Sequence, residues 1–171
     1  MNLNDYLRDV PDFPKPGIMF KDIAPLLADH GALTHCIDQM AAAVADLDIQ
    51  RVAGIESRGF LFGTPLALKL GLGFTPIRKP GKLPAATTKY EYELEYGTDT
   101  LEIHNDGVAP GDKVLIVDDV LATGGTAQAA CELVQMVGGE VAACVFLLEL
   151  GFLSGRDKLI GRTVRSLICD D

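Results

Sequence analysis

Residues 113–117 read Lys-Val-Leu-Ile-Val and lead directly into Asp118-Asp119-Val-Leu-Ala-Thr-Gly-Gly-Thr. A continuously apolar, β-branched run suits a strand buried on both faces, which calls for a central position in a parallel sheet with helices on either side. Beyond the glycines, Ala127, Ala130, Cys131, Val134 and Val137 form the stripe of an amphipathic helix, stopped by Gly138 and Gly139. The rest of the chain repeats this strand-to-helix rhythm. Ile37, Met40, Ala41 and Val44 recur at i, i+3, i+4 and i+7, which predicts a helix with Thr34 as its cap. Short strands follow at 51–55, 74–78 and 141–148, with a helix over 60–70. Strands alternating with helices predict one α/β domain over residues 1–171, with a mainly parallel, twisted sheet flanked by helices.

Residues 79–107 differ in character, holding prolines, threonines and tyrosines, and read as a flap or hairpin hood over the sheet. Glu91, Glu93 and Glu95 alternate with Tyr90, Tyr92, Leu94 and Tyr96, the pattern of a strand with one polar face. Arg78, Lys79, Lys82 and Lys89 precede these acids with no acid among them.

With 24 acidic against 15 basic residues, the net charge of −9 argues against a nucleic-acid partner, whose phosphates are met by clustered Lys and Arg. It does not exclude a small anionic ligand, because exposed charges beyond about 8 Å are largely screened at physiological salt. The amino terminus lacks a signal-like apolar core, and no window reaches the roughly 18 apolar residues of a membrane span. A cytoplasmic protein without membrane partners is expected. Cys36, Cys131, Cys144 and Cys169 form no Cys-x-x-Cys pair and read as reduced core thiols. His30, His35 and His104 lack metal-ligand spacing.

The chemistry concentrates between Val114 and Thr126. In open α/β sheets ligands sit beyond the carboxyl ends of the strands, where Asp118 and Asp119 are expected. The glycine turn that follows frees successive N–H groups to wrap a phosphate, with the Thr123 and Thr126 hydroxyls and the helix dipole assisting. Neither a P-loop nor a dinucleotide fingerprint is present. Paired acids followed by a phosphate nest suit a ribose 5-phosphate, its hydroxyls facing the carboxylates.

This segment resembles the 5-phosphoribosyl 1-diphosphate (PRPP) motif of the type I phosphoribosyltransferases. Four further pieces resemble the adenine-specific branch of that family: FPKPGIMFKDIAPLL from Phe13, AGIESRGFLFG from Ala53, PIRKPGKLP from Pro76 and LEYGTDTLEIH from Leu94. They occur in family order and span most of the chain. The resemblance implies transfer of the 5-phosphoribosyl group from PRPP to adenine, giving AMP and diphosphate, in purine salvage. It also implies magnesium held through substrate oxygens with no direct protein ligand, and a homodimer.

The resemblance further implies residue roles. Asp118 and Asp119 would bind the ribose, and Ala122, Thr123, Gly124, Gly125 and Thr126 the 5′-phosphate; otherwise the acids only cap the following helix. Glu56, Ser57 and Arg58 would form the diphosphate loop, with a cis bond between Glu56 and Ser57; otherwise this is an ordinary strand-to-helix turn. Arg78, Lys79 and Lys82 would complete the diphosphate site, Arg78 acting across the dimer, or would be a solvated basic cluster. Phe20 would stack on adenine while the backbone of Met19 and Lys21 reads its edge, within a base-binding segment 1–27; alone, Phe20 reads as a core aromatic. Glu95 would be the catalytic group on the base, or one exposed glutamate among several. A 6-oxopurine substrate such as hypoxanthine or xanthine, and a non-catalytic PRPP-sensing regulator, are the competing readings.

Overall fold

The computed structural model of the chain describes residues 1–94 and 96–171. Two compact units are found, Met1–Gln39 and Met40–Asp171.

In the first unit, a 3-10 turn at Leu3–Tyr6 precedes an antiparallel pair, β1 (Arg8–Pro11) and β2 (Met19–Asp22), with Val10 opposite Phe20. Arg8 donates to Asp22 through Nε at 3.0 Å, and Asp22 accepts from the Ala24 N–H at 2.9 Å, which starts α1 (Ala24–Ala28). The helix expected from Ile37 onward is α2 (His30–Ala43). It begins before Thr34, and its cap is Asp29, whose Oδ1 accepts from the Ala32 N–H at 2.8 Å. Thr34 instead lies within the helix. Aspartate is the stronger cap of the two, and it stands where the chain enters the helix.

In the second unit, the described strands form a five-stranded parallel sheet in the order β4-β3-β7-β8-β9. These are β3 (Arg51–Ile55), β4 (Gly73–Ile77), β7 (Lys113–Leu121), β8 (Glu140–Leu150) and β9 (Val164–Asp170). Helix α3 (Gly59–Leu70) joins β3 to β4, and α4 (Gly125–Met136) joins β7 to β8. Val114, Leu115, Ile116 and Val117 are all fully buried, as a strand covered on both faces requires. Val114 and Ile116 share a core with Ala127, Ala130, Cys131 and Val134 of α4.

The 79–107 segment contains the hairpin β5 (Thr87–Glu93) and β6 (Thr98–His104), with Tyr92 opposite Asp99. Glu91 and Glu93 are exposed while Tyr90 and Tyr92 turn inward, and both tyrosines pack against the α4 core. The hairpin is tied to the end of β4 by a two-way backbone bridge between Arg78 and Glu102, at 2.9 and 2.7 Å.

Two further expectations are corrected, and one segment without an assignment is placed. The strand 113–117 continues to Leu121, so Asp118 and Asp119 lie within it; β8 is long enough to keep pairing there, with Asp118 opposite Phe146 and Leu121 opposite Glu149. The segment after Leu159, unassigned from sequence, supplies edge strand β9. Cys36, Cys131 and Cys144 are buried thiols, but Cys169 is exposed, because alternation along β9 turns it away from the buried Ile168 side.

Candidate active site

The site is built outward from the carboxyl end of β7. Residues 122–124 turn the chain into α4, and Gly124 takes a left-handed conformation with φ 85° and ψ −6°. A left-handed residue followed by a helical one aims consecutive N–H groups into one concavity, and no side chain caps this helix start. The helix dipole adds positive potential at the same place. Gly124 and Gly125 are buried, whereas Thr123 is exposed. The Thr126 hydroxyl lies 3.2 Å from the Tyr92 hydroxyl, which reaches in from the hairpin.

The turn is backed by the connection between β8 and β9. Gly155, which opens a 3-10 stretch (Gly155–Leu159), packs its backbone against Ala122 and Gly124. Beside it Arg156 grips Glu149 in a two-pronged ion pair, Nε to Oε1 at 2.6 Å and Nη2 to Oε2 at 2.8 Å. Glu149 also accepts from the Ser166 hydroxyl at 2.7 Å. The Arg156 guanidinium outweighs burial and, with Ser166, holds the Glu149 carboxyl below its ordinary value.

Of the two acids, Asp119 is 3% exposed and faces the Arg58 guanidinium, Nε to Oδ2 at 2.9 Å. Asp118 accepts from the Asp119 N–H at 2.9 Å. Burial, reinforced by the neighbouring Asp119 charge, pushes the Asp118 carboxyl well above the usual carboxylate range. The pair offers hard oxygen donors suited to magnesium, and two carboxylates are too few to saturate that ion without substrate oxygens or water. Among the described residues no cluster of three or more His, Cys, Asp or Glu is arranged around a common point.

Arg58 lies between β3 and α3, at the start of the helix, and the peptide bond between Glu56 and Ser57 is cis. The Glu56 carboxylate accepts from Arg78 Nε at 2.8 Å and from the Lys79 N–H at 3.3 Å, so it fastens the basic segment to the end of β3. Arg78 also lies over the Phe60 ring, 5.9 Å from its centroid. The Lys79 ammonium pairs with Asp99, which also accepts from the Tyr92 hydroxyl at 3.3 Å. Burial alone would raise the Asp99 carboxyl; the Lys79 ammonium and the Thr100 N–H more than offset it and hold the group low. Burial alone would lower Lys79, and Asp99 foremost keeps it raised. Lys82 is exposed, and its carbonyl accepts from Arg78 Nη1 at 3.5 Å.

Thus Arg58, Arg78, Lys79, Asp118, Asp119, Glu56 and the 122–126 turn all belong to the second unit, around the ends of β3, β4 and β7. Met19, Phe20 and Lys21 lie on β2 of the first unit. There the Phe20 ring meets Phe13 edge-on with centroids 5.1 Å apart, and the Lys21 ammonium pairs with Asp9 at 2.8 Å. Glu95 lies outside the described residues. Sequence reasoning did not single out Tyr92, Asp99, Glu149, Gly155, Arg156 or Lys158 as site residues. Alternation already turned Tyr92 inward but named no target. The Gly-Arg-Asp-Lys run after β8 was the available signal for the others.

The family model described as "Phosphoribosyl transferase domain" matches residues 26–164. The adenine phosphoribosyltransferase of Kosmotoga olearia is 57% identical over 168 residues, covering 98% of this chain and 99% of that protein. The crystal structure of adenine phosphoribosyltransferase from Thermoanaerobacter pseudethanolicus superposes with a TM-score of 0.96 at 54% identity, covering 99% of this chain and 100% of that one. The Saccharomyces cerevisiae adenine phosphoribosyltransferase, complexed with D-2,5-dideoxy-2,5-imino-altritol 1,6-bisphosphate and adenine, gives a TM-score of 0.91 at 43% identity, with 96% of each chain covered. A glycine turn after paired acids at the end of a central parallel strand, together with this likeness along nearly the whole length, fixes the assignment: the chain belongs to the phosphoribosyl transferase family, among its adenine phosphoribosyltransferases.

Proposed function

We propose that this chain transfers the 5-phosphoribosyl group of PRPP to adenine, releasing diphosphate and AMP, as a purine salvage step. The observation that carries the reading is the meeting of Asp118, Asp119, Arg58 and the Gly124 turn at one end of β7. An anion nest and two carboxylates at that spacing match a phosphate and the 2′ and 3′ hydroxyls of one ribose.

In this reading residues 122–126 bind the 5′-phosphate, and Asp118 and Asp119 accept from the ribose hydroxyls. Ser57, Arg58 and the 78–82 segment receive the diphosphate. Arg58, Arg78 and Lys79 face Asp119, Glu56 and Asp99 in the free protein. Substrate oxygens would compete for those cations, which are therefore held near their working positions before substrate arrives. Phe20 stacks on the base, and the peptide edge around Met19 and Lys21 offers an N–H and a carbonyl, which match adenine N1 and its 6-amino group. Glu95 holds the imidazole edge so that N9 meets the anomeric carbon as the bond to diphosphate breaks. The cations stabilise charge growing on the leaving group. Asp118 and Asp119 would lie beside a magnesium ion brought in with the substrate, which would supply further charge neutralisation. The 79–107 hairpin excludes water that would otherwise hydrolyse PRPP. A cytoplasmic homodimer in which Arg78 acts across the interface completes the reading and rests on the resemblance.

Calorimetric titration with magnesium PRPP tests the ribose assignment. Asp118→Asn and Asp119→Asn should each weaken binding, and unchanged affinity in both variants would refute it.

A further inference from the structure

Arg58, Arg78 and Lys79 each face an acid of their own chain, whereas Lys158, the cation beside the glycine turn, does not. The Lys158 ammonium lies 3.6 Å from the position a Gly125 Cβ would take, over the first residue of α4. Among the described residues the Lys158 ammonium has no hydrogen-bond or ion-pair partner. In a chain with nine excess negative charges, a cation left without a counter-acid beside an anion nest needs a physical account.

Its place is fixed from several sides. Three residues earlier, Gly155 is buried with its backbone against Ala122 and Gly124. Two residues earlier, Arg156 holds Glu149, and Leu159, which follows, is 2% exposed. The backbone of Lys158 is thus pinned while its four-carbon side chain reaches toward the turn. The Tyr92 ring stands 3.5 Å from the same Gly125 Cβ position. Tyr92 of the hairpin and Lys158 of the connection between β8 and β9 therefore both reach the start of α4.

We propose that Lys158 is a binding residue for the 5′-phosphate, adding a mobile point charge to a nest otherwise made of backbone N–H groups and threonine hydroxyls. The inference rests on assigning residues 122–126 to that phosphate. A lysine suits the task because an ammonium on a flexible stem follows a phosphate oxygen without the fixed fork of arginine.

The test compares AMP, adenosine and magnesium diphosphate as calorimetric ligands for the full-length wild type, Lys158→Gln and Lys158→Arg. Lys158→Gln should weaken AMP roughly tenfold, the loss expected for one charge-assisted contact. It should leave adenosine and diphosphate affinity within about twofold and the melting temperature unchanged, and Lys158→Arg should recover most of the loss. A purely structural residue would not separate AMP from adenosine in this way. Unchanged AMP affinity in Lys158→Gln, or an equal loss for diphosphate, overturns the inference alone. A wild type that fails to prefer AMP over adenosine overturns the phosphate assignment of the turn, and the inference with it.

Discussion

The carbonyl oxygen of Gly155 stands where a Cβ on Gly124 would have to be, and a Cβ on Gly155 would strike the carbonyl oxygen of Ala122. Two backbones are interlocked, so the 122–126 turn is shaped by a segment some thirty residues away in sequence as well as by its own glycines. Gly155→Ala is therefore expected to displace the turn. It should cost about 1–3 kcal/mol of stability, as overpacking does, and weaken AMP and PRPP more than it weakens diphosphate alone. Denaturant unfolding with parallel ligand titrations checks this; wild-type affinity for AMP in a folded variant would show that the interlock does not govern the turn.

Glu149 and Arg156 hold that backing segment. The Glu149 carboxyl lies below its ordinary value, so its stabilising contribution is present above the unfolded-state value and is lost as pH falls through the folded-state one. Glu149→Gln should lower stability at neutral pH by about 1–2 kcal/mol, kept modest by solvent around the half-exposed guanidinium. The difference from wild type should shrink in acid. Unfolding curves between neutral pH and the acid limit of the fold measure it, and a constant difference at every pH would contradict the assignment.

Asp118 makes the opposite prediction. Its carboxyl is raised by burial and by Asp119, so in the free protein it keeps a proton above the usual carboxylate range. For stability this means a loss as pH rises from the unfolded-state value to the raised one. Ribose hydroxyls donating to the ionised group favour proton release, so PRPP affinity should climb with pH across that window. Calorimetry in buffers of different ionisation enthalpy should find a released proton that Asp118→Asn lacks, and equal proton counts in the two proteins would count against the ribose role.

Much of this is legible in the sequence. The β7 run, the α4 stripe and the glycine turn carry short-range signals that the fold keeps, since a strand buried on both faces leaves little choice. Asp118, Asp119 and the 122–126 turn are legible for the same reason, since spacing along the β7–α4 unit sets their geometry, whereas Arg58, on the β3–α3 connection, is named only by the family resemblance. The start of α2 is not legible, because a threonine inside an apolar pattern resembles a cap as much as Asp29 does. Asp99, Gly155 and Lys158 escaped because their meaning lies in pairing across a hairpin or between distant backbones, which periodicity does not encode. The exposed face of β9 misled the reading of Cys169 in the same way.

Glu95 carries the base-side chemistry in this account. Glu95→Gln should lower kcat about a hundredfold or more, within the range for a positioned proton-handling group, while PRPP affinity stays within about twofold. Steady-state kinetics with separate PRPP titration decide it, and wild-type turnover would remove the role.

The central claim is tested most directly by a panel of radiolabelled adenine, hypoxanthine and xanthine, each incubated with PRPP and magnesium and resolved for nucleotide product. The account predicts AMP from adenine, with one diphosphate released per AMP, and little or no product from the two 6-oxopurines. Comparable nucleotide formation from hypoxanthine or xanthine, or no AMP from adenine with folded protein, would contradict it.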